Sequence, residues 1–219
     1  MRLKPSVLVP LATLAAIGAI EAQQPSARQI AQERAQAELD APKLADVLEF
    51  ERGMSVADIG AGGGAVAVVL ARWLGSGRMF ATDIGSQQLA TIRKYAAREG
   101  LDNVTVIEGA ADATNLPRAC CDAIFLRHVY HHMTEVEPFN RSLHASLKPG
   151  GRLAIIDFVP GESSRAPDGV PASRRGHGIT PSEVIAELTA SGLMHVKTID
   201  AWPPGDEDPD YFLVLFRRP

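Results

Sequence analysis

Ser55-Val-Ala-Asp-Ile-Gly-Ala-Gly-Gly-Gly64 is the stretch on which the fold of this chain depends. Its first half is a short apolar run, which is typical of a strand covered on both faces. The apolar residues of Ala65–Leu74 then recur at helical spacing, so the glycines join a buried strand to a helix. Because glycine has no Cβ and a helix start carries unpaired N–H groups, this junction lets the backbone approach a ligand closely.

Two kinds of nucleotide would suit such a junction. Gly60, Gly62 and Ala65 satisfy a loose G-x-G-x-x-G/A pattern, which in dinucleotide-binding folds places a pyrophosphate at the helix N-terminus. The loop also fits G-x-G-x-G through Gly64, with the acidic Asp58 two residues ahead of the first glycine. A carboxylate there repels a pyrophosphate but attracts a cation, such as the ammonium and sulfonium groups of S-adenosylmethionine. The charge therefore favours S-adenosylmethionine.

With this loop the chain resembles the class I S-adenosylmethionine-dependent methyltransferases, in particular the broad type-11 group and its ubiquinone-biosynthesis relatives. The similarity covers about residues 40–217 and follows the order and spacing of the family. Five pieces carry it: VADIGAGGG (56–64), ATDI (81–84), EGAADATNLP (108–117), CDAIFLRHVYHH (121–132) and SLKPGGRLAIIDF (146–158). The resemblance implies S-adenosylmethionine-dependent methyl transfer to a small-molecule acceptor.

Strand and helix patterns alternate along the chain, and two further strands close it. This order predicts an α/β fold, a Rossmann-like three-layer sandwich whose mostly parallel, seven-stranded sheet ends in an antiparallel hairpin. Ligands of such sheets bind beyond the carboxyl ends of the strands, where the strand order reverses. We expect residues 53–219 to form this domain, after N-terminal helices in 23–52, the second of them capped by Asp40.

The resemblance implies a set of cofactor-binding residues at the carboxyl ends of the strands. Asp58 would fix the amino acid moiety of the cofactor. Asp83 would accept hydrogen bonds from the ribose hydroxyls, although it could instead cap the next helix, a role for which Ser86 is also available. Asp112 would accept from the adenine amine, although an ordinary turn residue is the alternative. The full set is Asp58, Gly60, Ala61, Gly62, Gly64, Asp83, Ile84, Ala111, Asp112, Ala113 and Arg127.

The segment Arg127–His132 follows the fourth strand, where the family has residues that face the methyl-transfer site. His128, Tyr130 and His131 are candidate catalytic residues, because imidazole titrates near neutral pH and suits a general base. The alternative is that these side chains only shape the pocket by packing and hydrogen bonding. A metal site needs a third or fourth ligand, and the sequence marks none nearby, so we expect no metal.

Residues 160–179 are rich in Gly, Pro, Ser and Arg, which predicts a surface loop or lid after the fifth strand. The side chains of Arg174, Arg175 and His177 could bind an anionic substrate, and solvated loop charges are the alternative. Asp157 ends the preceding strand, either near the substrate or in solvent. Thr180-Pro-Ser-Glu183 then predicts a helix that begins with a capping box.

Residues 1–22 resemble a secretory signal peptide, with a basic start, an uncharged run from 7 to 20 and cleavage after Ala22. The run is short for a membrane span, so we expect a periplasmic or secreted protein with no stable span after cleavage. An uncleaved N-terminal anchor is the alternative. The adjacent Cys120 and Cys121 offer no spaced disulfide framework and are interpreted as small buried apolar residues, with soft-metal binding as the alternative.

Three functions are compatible with this sequence. A formal net charge of −4 gives no sign of a nucleic-acid surface, so a small molecule is the expected substrate of a methyltransferase. An NAD(P)-dependent oxidoreductase would need no acid at Asp58, and no Tyr-x-x-x-Lys pattern is present. A non-catalytic protein that keeps the cofactor-binding fold is the third possibility. The oligomeric state is left open.

Overall fold

A computed structural model describes residues 27–161, 164–171, 176–203 and 210–219. The expected signal peptide and the side chains of Arg174 and Arg175 lie outside these residues. Among the described helices, none combines the length and the apolar composition that a membrane crossing requires.

Seven strands and five α-helices follow one another in the described chain. In chain order they are α1 (Ala27–Leu48), β1 (Ser55–Ile59), α2 (Ala65–Leu74), β2 (Arg78–Asp83), α3 (Ser86–Arg98), β3 (Val104–Glu108), β4 (Cys121–Arg127), α4 (Val136–Ser146), β5 (Leu147–Phe158), α5 (Pro181–Ala190), β6 (Met194–Ile199) and β7 (Tyr211–Arg217). One turn of 3₁₀-helix, Tyr130–His132, lies between β4 and α4.

The strands form one sheet in the order β3-β2-β1-β4-β5-β7-β6. The pairs among β1 to β5 are parallel, whereas β7 runs antiparallel to both β5 and β6. The predicted fold class, a mostly parallel seven-stranded sheet with an antiparallel hairpin at its end, is confirmed. The strand order reverses between β1 and β4, which is where a ligand of such a sheet binds.

The core has two parts, one on each face of the sheet, because neighbouring strand residues point to opposite faces. On one face, α1 and α2 pack over side chains that include Val56 and Phe125. On the other face, α4 and α5 cover a second cluster that includes Ala57 and Leu126. Strands β1, β4 and β7 are therefore buried along nearly their whole length, whereas the edge strand β6 is largely exposed.

The two predicted N-terminal helices are in fact one. Helix α1 continues from Ala27 to Leu48 with Pro42 inside it. Asp40 is consequently not a helix cap: its side chain is buried, accepts a hydrogen bond from Gln36 Nε2 at 3.0 Å and pairs with Arg127. Tertiary packing and this pairing outweigh the local capping preference of an aspartate. Helix α3 also begins without a side-chain cap, so Ser86 does not have that role.

Two other local predictions have opposite outcomes. The capping box of α5 is confirmed, since Thr180 Oγ1 accepts from the backbone N–H of Glu183, whose carboxylate accepts from the N–H of Thr180. The interpretation of the cysteines as two ordinary apolar residues is incomplete. Cys121 is buried at the start of β4, but its sulfur is bonded to that of Cys120.

Candidate functional site

The glycine loop after β1 has a backbone that only glycine adopts readily. Gly60, Gly62 and Gly64 have φ angles of 69°, 55° and 76°. At Gly60 a Cβ atom would also lie 2.7 Å from a methyl carbon of Val129. Because valine is stiff at χ1 and its own Cβ would be 3.0 Å away, rotation of Val129 could not remove this clash. The sequence folds here into a backbone cradle, which has no room for a side chain at Gly60 but is open beside Gly62.

Asp83 at the end of β2 fixes the shape of this loop. One carboxylate oxygen accepts from the N–H of Gly62 at 2.9 Å, and the other accepts from the N–H of Gly85 at 2.9 Å. Each carboxylate oxygen can accept a second hydrogen bond, so the side chain can still receive hydroxyl groups of a ligand. The ribose-binding role of Asp83 stays a prediction.

The first cavity at this edge, here called the glycine-loop pocket, lies between β1, β4 and α1. It is lined by Glu33, Asp58, Gly60, Ala61, Gly62, Gly63, Ala65, Val66, Phe125, Arg127 and His128. The guanidinium of Arg127 lies 3.4 Å from the carboxylate of Asp40 in α1. Helix α1 thus holds Arg127 from one side, and Glu33, about two turns before Asp40 on the same helix, reaches the pocket itself. No local pattern in the sequence marks Glu33 as a pocket residue.

Asp58 is the buried acid of the glycine-loop pocket. Burial raises its pKa from 3.8 to about 7, and the charge of Asp83 adds to this rise, whereas Arg127 and a backbone N–H from Ala67 oppose it. The carboxyl group is therefore only partly ionised near neutral pH in the free protein. A cation bound beside it would favour the ionised form.

The pocket carries charges of both signs. Asp58 and Glu33 offer carboxylates, and Arg127 offers a guanidinium. This combination matches the ammonium and the carboxylate of an amino acid moiety, each with a partner of opposite charge. A pyrophosphate would meet the two carboxylates as well as the single arginine.

A second cavity, here called the apolar pocket, adjoins the first and shares Gly60 with it. It is lined by Ile59, Gly60, Thr82, Asp83, Ile84, Gly109, Ala110, Ala111, Ala113, Thr114, Val129, His132, Met133, Thr134 and Phe139. Ile84 is 73% exposed, which leaves an apolar side chain uncovered at the rim. Asp112 points elsewhere: it is exposed and does not line the pocket, although Ala111 and Ala113 do. Its role at an adenine amine stays a prediction.

His128 lies in the glycine-loop pocket with a positive φ of 56°. Its ring centroid is 4.8 Å from that of Tyr211 on β7. Burial, with a contribution from Arg127, lowers the pKa of His128 from 6.5 to about 4. A base with so low a pKa accepts protons poorly at neutral pH, so the site favours His128 as a neutral contact residue over a general base.

Tyr130 is the first residue of the 3₁₀ turn, and its side chain is fully buried against α4 and α5. Its hydroxyl group donates to Glu187 Oε2 at 2.8 Å and accepts from Asn140 Nδ2 at 2.9 Å. It lines neither pocket. The geometry thus supports a structural role for Tyr130, and a catalytic role has only the sequence prediction behind it.

His131 is buried and is held by Asp157 at the end of β5. Its Nδ1 lies 2.8 Å from a carboxylate oxygen of Asp157, and its backbone N–H donates to the other oxygen at 3.1 Å. Asp157 is completely buried, so a solvated strand end was the wrong alternative for it. On the far side, Nε2 of His131 lies 3.1 Å from Nε2 of His177. The sequence did not relate these two histidines.

The strand order gives the chain a Rossmann-like fold, which solved methyltransferase structures share. Residues 57–155 match the family described as a methyltransferase domain. The resemblance found in the sequence is confirmed for this segment.

The curated relatives include the ubiquinone/menaquinone biosynthesis C-methyltransferase UbiE of Escherichia fergusonii, 31% identical over 115 residues. That alignment covers 52% of this chain and 46% of the relative, so the chain spans about half the length of the relatives it matches.

Two solved structures agree in fold. An S-adenosylmethionine-dependent methyltransferase of Aquifex aeolicus superposes with a TM-score of 0.68 and 22% identity, over 84% of this chain and 97% of that one. The [4+2]-cyclase SpnF also has a TM-score of 0.68, with 20% identity over 91% and 85% of the two chains. The name of the second protein shows that this fold also occurs in a cyclase.

Proposed function

We propose that this chain binds S-adenosylmethionine and transfers its methyl group to a small-molecule acceptor. The observation that carries the proposal is the glycine-loop pocket, where Asp58, Glu33 and Arg127 surround a backbone cradle. The two carboxylates suit the ammonium and sulfonium charges of the cofactor, and the arginine suits its carboxylate. The adjoining apolar pocket offers Asp83 and flat alanine contacts for the nucleoside.

When bound, S-adenosylmethionine supplies an electrophilic methyl carbon on a sulfonium, so no covalent protein intermediate is needed. The contribution of the chain is to bind, to orient and to exclude water. Gly60 and Val129 both line the apolar pocket, so their close packing sets the shape of the space that a ligand would enter. The imidazole of His128 lines the glycine-loop pocket, and the rings of Tyr211 and Phe158 pack against it with centroid distances of 4.8 and 6.3 Å. These contacts hold His128 in place at the pocket.

Calorimetry with purified protein tests cofactor choice. We expect S-adenosylmethionine and its demethylated product to bind and NAD to bind at least about 100-fold more weakly, because a pyrophosphate meets two carboxylates. Tight binding of NAD without binding of S-adenosylmethionine would establish the oxidoreductase alternative instead.

A second measurement tests catalysis. Protein loaded with methyl-labelled cofactor is mixed in single-turnover experiments with a panel of phenols, thiols, amines and quinol-like carbon acids. Transfer of label to any class identifies the acceptor atom. Binding of the cofactor with no transfer to any of them would support a non-catalytic protein of the same fold.

We also propose that the protein is exported, on the basis of the signal-like pattern in residues 1–22. Intact-mass measurement after expression in a bacterial host tests this. Loss of residues 1–22 from protein in the periplasmic fraction is the expected result, and a full-length cytosolic product would contradict it.

A further inference from the structure

Three imidazoles meet beyond the end of β5, and we infer that they bind a divalent transition-metal ion of the zinc type. The set, here called the histidine cluster, is His131, His132 and His177. Each offers one ring nitrogen, and these atoms lie within 4.8 Å of one another. Two nitrogens bound to one tetrahedral zinc ion at about 2.0–2.1 Å are about 3.3 Å apart. The 3.1 Å between Nε2 of His131 and Nε2 of His177 is already close to that spacing.

His131 is prepared as a ligand by its surroundings. Because a carboxylate only accepts, the contact with Asp157 puts the ring proton on Nδ1 and leaves the lone pair of Nε2 facing His177. Metal-bound histidines in proteins commonly donate their second ring nitrogen to a carboxylate in this way. His131 and Asp157 are both buried, so this half of the cluster is rigid.

The other two ligands can complete the site by small side-chain rotations, because His132 and His177 are exposed. A plain hydrogen bond from His177 to His131 would satisfy the 3.1 Å contact by itself. It would not explain the third imidazole, whose ring centroid lies 4.0 Å from that of His131 and 5.4 Å from that of His177. The convergence of three imidazoles on a point backed by a buried carboxylate favours a metal.

The donor set indicates the kind of metal and ligand. Neutral imidazoles suit zinc, iron, nickel and copper, whereas calcium and magnesium prefer oxygen donors. Three protein ligands leave one tetrahedral position for an exogenous hydroxide, phenolate or thiolate. His132 also lines the apolar pocket, so that position lies at its edge. Activation of a methyl acceptor there rests on the proposed function, whereas metal binding itself does not.

The site is tested with full-length protein purified without a histidine tag and freed of metal by a chelator. The chain has six histidines, and His195 on β6 is a matched control outside the cluster. Titration with Co²⁺ should produce the visible absorption of a tetrahedral site at about one ion per chain, and Zn²⁺ should displace it. His177→Ala should weaken binding by at least about tenfold, and Asp157→Asn by about 10- to 100-fold, whereas His195→Ala should bind like the parent.

Because His177 is an exposed loop residue, its removal should leave the melting temperature nearly unchanged, which separates metal loss from misfolding. No tetrahedral cobalt spectrum, or equal affinity of His177→Ala and His195→Ala, would overturn the proposal. Cofactor binding is measured in the same samples. Protein that binds S-adenosylmethionine but no metal contradicts only the metal site, and protein that binds metal but no cofactor contradicts only the proposed function.

Discussion

The glycine-loop pocket and the histidine cluster lie at the same edge of the sheet but are built differently. The cradle, the buried acid and the start of α2 come from one continuous stretch, residues 58–65. The histidine cluster instead joins His131 to His177, which is 46 residues further along the chain. The first is held in shape by the hydrogen bonds that Gly62 and Gly85 donate to the carboxylate of Asp83. The second depends on one buried histidine and on loop residues that can move.

This difference teaches where function can be changed. A local cradle tolerates few substitutions, since any side chain at Gly60 meets Val129. A cluster assembled from a loop can gain or lose a ligand without disturbing the sheet. Cofactor binding is therefore expected to be the fixed property of this chain, and acceptor or metal chemistry the adjustable one.

The largest effect is expected for Gly60→Ala. The new methyl group would clash with Val129 at 2.7 Å and force the loop or Val129, which both line the apolar pocket, to move, so affinity for S-adenosylmethionine should fall by more than about 100-fold. Gly62→Ala is the matched control, because it has a similarly positive φ but open space around the added carbon. Gly62→Ala should lower the free energy of unfolding by only about 1–2 kcal/mol, which is the strain of an alanine at positive φ. If calorimetry gave equal losses of affinity for the two variants, the steric clash with Val129 would not be the cause of the loss at Gly60.

A smaller effect is expected for Asp58→Asn, which should raise stability but weaken cofactor binding. The folded-state pKa of Asp58 is about 7, above its value of 3.8 in the unfolded chain, so the folded protein holds an extra proton between these values. Its free energy of unfolding should therefore decrease as pH rises from about 4 to 7. Asp58→Asn should remove this decrease and be more stable than the parent at pH 8 by at least about 1 kcal/mol, measured by denaturant unfolding.

The same substitution should weaken S-adenosylmethionine binding by at least about tenfold, because the ammonium loses a charged partner. Asp122→Asn is the matched control. That carboxylate binds Lys148 and the N–H of Ser55, away from both pockets. It should lower stability and leave cofactor affinity unchanged. If Asp58→Asn became more stable without losing affinity, Asp58 would not contribute to cofactor binding.

The smallest effect on function is expected for Tyr130→Phe, which tests whether the 3₁₀ turn that carries His131 and His132 also carries a catalytic tyrosine. The lost hydroxyl leaves Asn140 and Glu187 with one partner fewer, so the free energy of unfolding should fall by about 1–2 kcal/mol. Methyl transfer to an identified acceptor should keep its kcat within about twofold, because the side chain lines neither pocket. A drop of kcat by about 100-fold with unchanged melting behaviour would restore Tyr130 as a catalytic residue.

Several features could be predicted from short stretches because their causes are local. The capping box at Thr180 needs only a hydroxyl and a carboxylate three residues apart. The continuation of α1 through Pro42 could not be predicted in this way, because it depends on the contact of Asp40 with Arg127, a residue of β4. The same helix brings Glu33 to the pocket, and no motif marks an exposed acid on a helix as a ligand.

The sequence by itself determined the sheet type, the cradle and the sign of the charge at Asp58, since alternation, glycine spacing and acid position are properties of neighbouring residues. Only the tertiary structure decided that the acid is buried enough to hold a proton near pH 7. It also decided that Asp157, His131 and His177 form one line of contacts. The physical reason is that burial and convergence depend on which segments pack together at the end of the sheet.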